Sequence, residues 1–376
     1  MSWTHTGYAQ RIHFGAGALD GVGAVCEVLG MHRVLVVTTE GRASSPEGRH
    51  LAALLGAAVE QVTVFAGVRS HVPEPAVEAA VALAGADRVD GVVSFGGGSC
   101  ADLGKAVCHA AEQAATAGRA SPSAGRSYAD RPVLPHVAIP TTYSGAELTP
   151  FYGMTAGGRK RGAGGPMLAP RAAIYDPVVT LATPVRVSAE TGMNALAHGV
   201  ECAYSPSRTP EAEAVALACI GRIAAALPAV VDRPGDLAAR TAMLAGAVLG
   251  GRSLQNAGMG VHHGLAQLLG GRTGLPHGLL NAVVLPYAMA FNAASAGPSA
   301  RQIGAALGDP GDPAGALARL RGRLGLPATL AECGVTAADV DAVARLSPEN
   351  ANVVANVRPV GVDDARDLLT AALTGT

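Results

Sequence analysis

Three groups of residues in this 376-residue chain could carry chemistry. The first is Gly96-Gly97-Gly98-Ser99, with Asp102 and Lys105 behind it. Glycines let a backbone approach phosphate closely, and a helix start adds unpaired N–H donors with partial positive charge. The pattern is neither GxGxxG nor the P-loop pattern, yet a strand–turn–helix context suits a dinucleotide's phosphates. The competing reading is a tight strand–helix turn without a ligand. The second group is Pro140 to Glu147, where Thr141, Thr142, Tyr143 and Ser144 offer four hydroxyls after an apolar run. Open α/β sheets bind ligands at the carboxyl ends of such strands. The third is His198, His262, His263 and His277. Asn194 and His198 are four apart, as are His263 and Gln267, so each pair shares one helix face. Three separated imidazoles with a polar partner could bind a metal; each could equally be a hydrogen-bonded structural histidine.

The elements that must position these groups differ between the two halves. Short apolar runs at 34–37, 62–65, 91–95, 137–139 and 172–175 alternate with Ala-rich stretches. This alternation predicts a parallel sheet with helices on both faces. After Pro177 the chain becomes Ala- and Leu-rich, with helical spacing over 212–223, 237–249, 316–324 and 363–373. We therefore expect an α/β domain over 1–177 and an all-α domain over 178–376. Residues 114–131, rich in Ser, Gly, Ala and Arg, read as a surface insertion.

Composition removes several classes of function. Lys plus Arg is 28 and Asp plus Glu is 29, a balance that gives no electrostatic footprint for nucleic acid. Aromatic residues make up 3%, which argues against stacking platforms. The six cysteines form no CxxC pair, so neither a disulfide scaffold nor a cysteine zinc site is expected. No signal peptide is read in the first residues, and no uncharged apolar run is read as reaching the about 20 residues of a membrane span. A reduced, cytoplasmic protein is the expectation.

Together these segments resemble the iron-containing, or group III, alcohol dehydrogenase superfamily. GGGSxxDxxK is matched at Gly96, Gly97, Gly98, Ser99, Asp102 and Lys105. Within it the chain is most similar to the maleylacetate reductases, through segments 140–155, 157–161, 168–177, 191–202, 260–271, 275–286 and 357–369. The resemblance implies a Rossmann-like domain plus a helical domain of the dehydroquinate synthase-like fold, with catalysis in the cleft between them. It implies NADH or NADPH with its pyrophosphate on Gly96–Ser99, Asp102 close behind, and Thr141, Thr142 and Ser144 around it. Metal-dependent relatives hold their ion with an Asp and three His, at positions that here are Asn194, His198, His263 and His277. An amide is a poorer ligand for a hard cation than a carboxylate, so no metal is expected. Departures from the reductases stand at Gln267, Asn281 and Tyr287, where His would be expected, and at Asp102, where Gly is usual.

The implied reaction is metal-independent reduction of maleylacetate to 3-oxoadipate, with a likeness to homodimers. His263, His198, His277 and Asn194 are the catalytic candidates, His263 first, with a protonated imidazole meeting the developing enolate. Tyr143, Lys160, Arg161, Arg252, His262 and Gln267 are the candidates for binding the anionic oxo acid, and Arg272 is a further available cation. Thr39 stands where NAD-selective relatives carry an Asp for the ribose, so both cofactors are expected to serve unless Glu40 turns inward. Alternatives are a related reductase of another carbonyl substrate in a specialised biosynthetic pathway, a metal-dependent alcohol dehydrogenase, or a protein that keeps the scaffold but has lost hydride transfer.

Overall fold

A computed structural model describes residues 2–116, 127–157 and 159–376, the side chains of 159 and 160 excepted. The chain divides into two compact units, Gly7–Thr183 and Pro184–Thr376, the second joined by Met1–Thr6.

The first unit is a six-stranded parallel sheet with helices on both faces. Its strands are β1 (Arg11–Phe14), β2 (Arg33–Thr38), β3 (Gln61–Phe65), β4 (Gly91–Gly96), β5 (His136–Pro140) and, after a hairpin, β8 (Ala172–Tyr175). Their spatial order is β1-β8-β5-β4-β2-β3. Alternation splits the two cores. Val34, Val36, Val93 and Phe95 pack with Val22, Leu51 and Leu55 on one face. Leu35, Val37 and Val92 pack with Ala80, Leu103 and Val107 on the other. All five apolar runs became strands of this sheet; β2, β4, β5 and β8 are buried along nearly their whole length, as continuous apolar runs imply, while the edge strand β3 leaves Val64 exposed.

Two elements were not anticipated. The edge strand β1 is half polar, and Ile12 and Phe14 are exposed. Strands β6 (Phe151–Ala156) and β7 (Arg159–Gly164) form an antiparallel hairpin. The helix Gly98–Ala115 carries Lys105 fully inside the unit. Its ammonium donates to Asp102 at 3.2 Å, to Thr149 Oγ1 at 3.1 Å and to the Phe151 carbonyl at 2.5 Å. Asp102 Oδ2 accepts from the Gly153 N–H at 3.2 Å. The pair therefore anchors β6 to the helix that leaves the glycine turn. Part of the expected insertion, 117–126, lies outside the described residues.

The second unit is helical among its described residues. Thr209 caps Pro210–Asp232, accepting from Ala212 N at 3.2 Å, and Pro210 at the first position with Glu211 and Glu213 behind it completes a favourable start. The helices expected near 237, 316 and 363 are Leu237–Ser253, Pro313–Arg323 and Val362–Thr374. One expectation is corrected. Pro210–Asp232 and His277–Ala296 are both long and apolar enough to cross a membrane, and the second has no Asp, Glu, Lys or Arg. His277–Ala296 is instead a core helix, with Leu280, Val283, Val284 and Ala288 buried against Leu265, Leu269 and Leu369.

Replacing Lys105 by Met leaves Asp102, Thr149 and the Phe151 carbonyl without their buried donor. We expect a loss of about 3 kcal/mol in urea unfolding; a loss below about 1 kcal/mol would show that this cation does not anchor the hairpin.

Candidate active site

In the α/β unit the site is built where β4 becomes a helix. Gly96 has φ +149°, and a Cβ there would lie 2.4 Å from Cys100 Sγ, so the turn itself requires glycine. Gly97, with φ −82°, is under a different constraint. A Cβ on it would lie 3.2 Å from Thr142 Oγ1, and one on Gly98 would lie 3.1 Å from Ser144 Oγ. No side chain caps the helix that Gly97 opens. The Thr141 N–H donates to the Gly96 carbonyl at 2.9 Å, drawing the end of β5 against the turn. Thr142 Oγ1 is buried with no hydrogen-bond partner among the described residues. An uncapped helix start, a glycine backbone and an orphaned hydroxyl together fit the pyrophosphate of a dinucleotide. Ser99 is half-buried in the first turn of that helix.

Three expectations for this unit change. Asp102 spends both carboxylate oxygens on Lys105 and Gly153, so it positions the helix rather than meeting a ligand. Thr39 spends its hydroxyl capping Glu40–Ala43, accepting from Arg42 N at 3.3 Å, while Glu40 is exposed. Tyr143 is fully buried inside the unit. A residue not singled out is Arg42. Its guanidinium donates to Thr183 Oγ1 at 2.7 Å, and Thr183 donates to the Thr141 carbonyl at 2.6 Å.

In the helical unit the structure brings Asn194, His198, His262, His263 and His277 into one cluster. Asn194 and His198 share a face of Val185–Tyr204; His262 and His263 open Val261–Thr273; His277 opens His277–Ala296. The rings of His198 and His263 stack with centroids 4.7 Å apart, and His277 lies 5.9 Å from His263. Sequence reasoning missed the residue at the centre. Glu201 is fully buried, one turn beyond His198 on the same helix. It accepts from the backbone N–H of His262 at 3.0 Å and of His263 at 3.3 Å, and from His263 Nδ1 at 2.6 Å. Its one signal was an acid three residues after a histidine, in the apolar C-terminal half of the helix.

These partners assign the tautomers. His262 Nε2 lies 2.9 Å from the Asn281 carbonyl, which can only accept, so Nε2 carries the proton. His262 Nδ1 then turns a lone pair to His263 Nδ1 at 3.2 Å. His263 gives its Nδ1 proton to Glu201, which leaves Nε2 bare. That Nε2, His198 Nδ1 and Asn281 Oδ1 are buried without partners among the described residues. Burial would raise the Glu201 carboxyl, but hydrogen bonds from His262 and His263 outweigh it and hold Glu201 well below the usual carboxylate range. Burial lowers His263 despite Glu201, and burial with the facing His263 ring drives His198 far down. The expectation of a protonated imidazole is therefore corrected for the resting protein: both rings are neutral at neutral pH, and two stacked rings cannot charge together.

The substrate candidates scatter. His262 uses both ring nitrogens inside the cluster and positions His263 rather than contacting a ligand. Arg252 pairs with Glu211 at 3.4 Å and Arg272 with Asp339 at 2.6 Å, so neither offers its charge freely to a carboxylate. Gln267 is half-buried and accepts from Asn352 Nδ2 at 3.1 Å. Lys160 lies opposite Thr155 in β7, its side chain outside the described residues; Arg161 is exposed on that strand. Tyr287 points away, its hydroxyl donating to the Ala328 carbonyl at 3.3 Å.

The donor set does not fit a catalytic divalent ion. Asn194 offers one carbonyl oxygen, and Asn281 Nδ2 donates to it at 2.5 Å. Glu201, His262 and His263 could also converge on a cation, but the carboxylate is already occupied by three N–H groups.

The two glycines separate fold from ligand. Gly97→Val should keep the fold and lose NAD(P)H binding in a fluorescence titration, because its φ is allowed and its side chain fills the cradle beside Thr142. Gly96→Ala should instead destabilise the protein by more than about 1 kcal/mol. Undiminished affinity in folded Gly97→Val would take the turn out of the cofactor site.

The chain matches the iron-containing alcohol dehydrogenase model over residues 9–177 and the Fe-containing alcohol dehydrogenase C-terminal model over 188–373. It is 36% identical to a maleylacetate reductase of Burkholderia cepacia, over 97% of this chain and 96% of that one. It is 38% identical to maleylacetate reductase 2 of Cupriavidus pinatubonensis, over 97% and 95%. The crystal structure of maleylacetate reductase from Rhizobium sp. strain MTP-10005 covers the chain completely, with 99% of its own length, 35% identity and a TM-score of 0.86. The chain belongs to the iron-containing alcohol dehydrogenase family, within its maleylacetate reductase group.

Proposed function

We propose that this protein is a cytoplasmic NAD(P)H-dependent reductase of an activated oxo acid, converting maleylacetate to 3-oxoadipate without a metal. The observation that carries the proposal is the buried cluster of Glu201, His263, His198 and Asn194, in which Asn281 occupies the one oxygen Asn194 could give an ion. When bound, the reduced nicotinamide supplies a hydride. Reduction of the conjugated C=C bond would place negative charge on the ketone oxygen until a proton completes it. His263 Nε2 takes up a proton, donates a hydrogen bond to that oxygen, and Glu201 holds the Nδ1 proton and balances the charge. Removing such a donor typically costs about 10²–10³ in rate. His198 and His277 enclose His263, and Asn194 with Asn281 supplies neutral polarity beside it. Arg161, exposed on the hairpin, is the remaining candidate for a substrate carboxylate.

Retention of the scaffold with loss of hydride transfer is disfavoured by the intact glycine turn. A related substrate with a different tail is the second reading, because Gln267 and Asn281 stand where the reductases carry His and are tied to Asn352 and Asn194. A homodimer belongs to the proposal; the exposed Ile12 and Phe14 on edge strand β1 support it. For the cofactor, Glu40 is exposed rather than turned inward beside Thr39, so both NADH and NADPH should serve. A preference for NADH above about a hundredfold, roughly 2.7 kcal/mol, would contradict this.

The reaction is tested with protein dialysed against a strong chelator and shown metal-free by elemental analysis. Maleylacetate reduction should persist, with His263→Ala slowed at least a hundredfold; activity that vanishes and returns with iron or zinc would overturn the proposal. The protonated His263 is the working form and burial lowers its titration, so kcat/KM should fall as pH rises, beginning on the acid side of the ordinary imidazole value. Glu201→Gln removes the charge that favours the imidazolium and should move that fall to still lower pH. A fall confined to alkaline pH in both proteins would contradict the role given to His263.

A further inference from the structure

An acid that the proposed reaction does not use lies beneath the glycine turn. Glu147, in the single turn Ala146–Leu148, is 1% exposed. Its Oε1 accepts from the Tyr175 hydroxyl at 2.8 Å, and its Oε2 lies 3.3 Å from Ser144 Oγ. Ser144 is also the side chain that a Cβ on Gly98 would meet, at 3.1 Å. One hydroxyl thus connects the start of the helix to a buried carboxyl group. The groups around Glu147 can be named element by element. Tyr175 faces it from β8, and Lys105 acts on it from the helix Gly98–Ala115, its ammonium shared with Asp102, Thr149 and the Phe151 carbonyl. His136, at the far end of β5, bonds Ser94 at 2.8 Å and is held down at about 3 by burial, so it stays neutral.

We propose that Glu147 is a positioning residue for cofactor binding. As a neutral acid it donates to Ser144 Oγ and leaves the Ser144 hydrogen for the pyrophosphate; as a carboxylate it draws that hydrogen to itself. This rests on the reading that the pyrophosphate occupies the glycine turn. Burial pushes the Glu147 carboxyl above its ordinary value, against the opposing hydrogen bonds of its own segment and Tyr175 and the charge of Lys105. An anion bound beside Ser144 favours the neutral acid further, so binding takes up a proton. The sign follows: affinity is full below the Glu147 titration and is lost as pH rises through it.

The test is the dissociation constant of NADH against pH, by fluorescence, with calorimetry in two buffers of different ionisation enthalpy. NADH is chosen because it lacks the titrating 2′-phosphate of NADPH. The wild type should take up a proton on binding and weaken by up to about tenfold per pH unit above the Glu147 titration. Glu147→Gln, whose amide donates to Ser144 at every pH and whose carbonyl still accepts from Tyr175, should keep the low-pH affinity with no slope. Tyr175→Phe removes a donor to the carboxylate and should move the slope to higher pH, and it carries the test if the Gln variant does not fold. A flat wild-type profile without proton uptake would overturn the inference, as would an unchanged slope in Glu147→Gln or an unmoved one in Tyr175→Phe. Gly97→Val distinguishes the two levels: if it binds NADH like the wild type, the pyrophosphate reading itself fails, whatever the slope.

Discussion

The buried carboxylate of Glu201 is the constraint on which the helical unit depends. It terminates no helix of its own; it accepts the first N–H groups of Val261–Thr273, which would otherwise be orphaned inside the protein. The same oxygens hold the His263 ring. A side chain at Gly260 would come within 2.9 Å of Glu201 Oε1 and 2.7 Å of Asn356 Oδ1, so the approach to this helix needs glycine for space. Behind it, Asn292 and Asn356 exchange hydrogen bonds at 2.9 Å in both directions, and Asn356 Oδ1 accepts from Val261 N at 3.2 Å. A helix start without a capping side chain of its own is in this way capped from two other segments.

That arrangement decides what the histidines can do. With Nδ1 committed to Glu201, His263 presents a lone pair at rest and becomes a donor only after taking a proton. The neighbouring carboxylate favours that proton, and burial beside His198 and His262 opposes it. A centre poised in this way suits a substrate that conjugation has already activated, because one hydrogen bond must stabilise an enolate. It suits an unactivated alcohol poorly, because Asn194 brings no charge to hold a polarising ion and its side-chain oxygen accepts from Asn281.

The fold was more legible in the sequence than the site. Strands buried on both faces cannot avoid announcing themselves as apolar runs, and β2, β4, β5 and β8 did; edge strand β3 was marked by Val62 and Val64 although Val64 faces solvent. Strand β1, with one side of the sheet open to solvent, mixes Arg11 and His13 with Ile12 and Phe14, so no run marks it. The glycine turn was legible because close approach excludes every other residue type, although two separate reasons underlie it: backbone conformation at Gly96 and space at Gly97. The histidines could be grouped by helix-face spacing and resemblance, but their proton positions depend on partners far along the chain, such as the Asn281 carbonyl. Glu201 was hidden because a buried acid looks like a surface acid until the fold surrounds it. Arg252 and Arg272 show the converse, cations that suit a dicarboxylate on paper but are paired with Glu211 and Asp339 on the surface.

Glu201 fixes His263 as a neutral ring with its proton on Nδ1 and a bare Nε2. Nitrogen-15 NMR of histidine-labelled protein, with His263 assigned by comparison with His263→Gln, measures this directly. At neutral pH His263 should show a protonated Nδ1 and an unprotonated Nε2. A proton on Nε2, whether in the opposite tautomer or in a resting imidazolium, would contradict it.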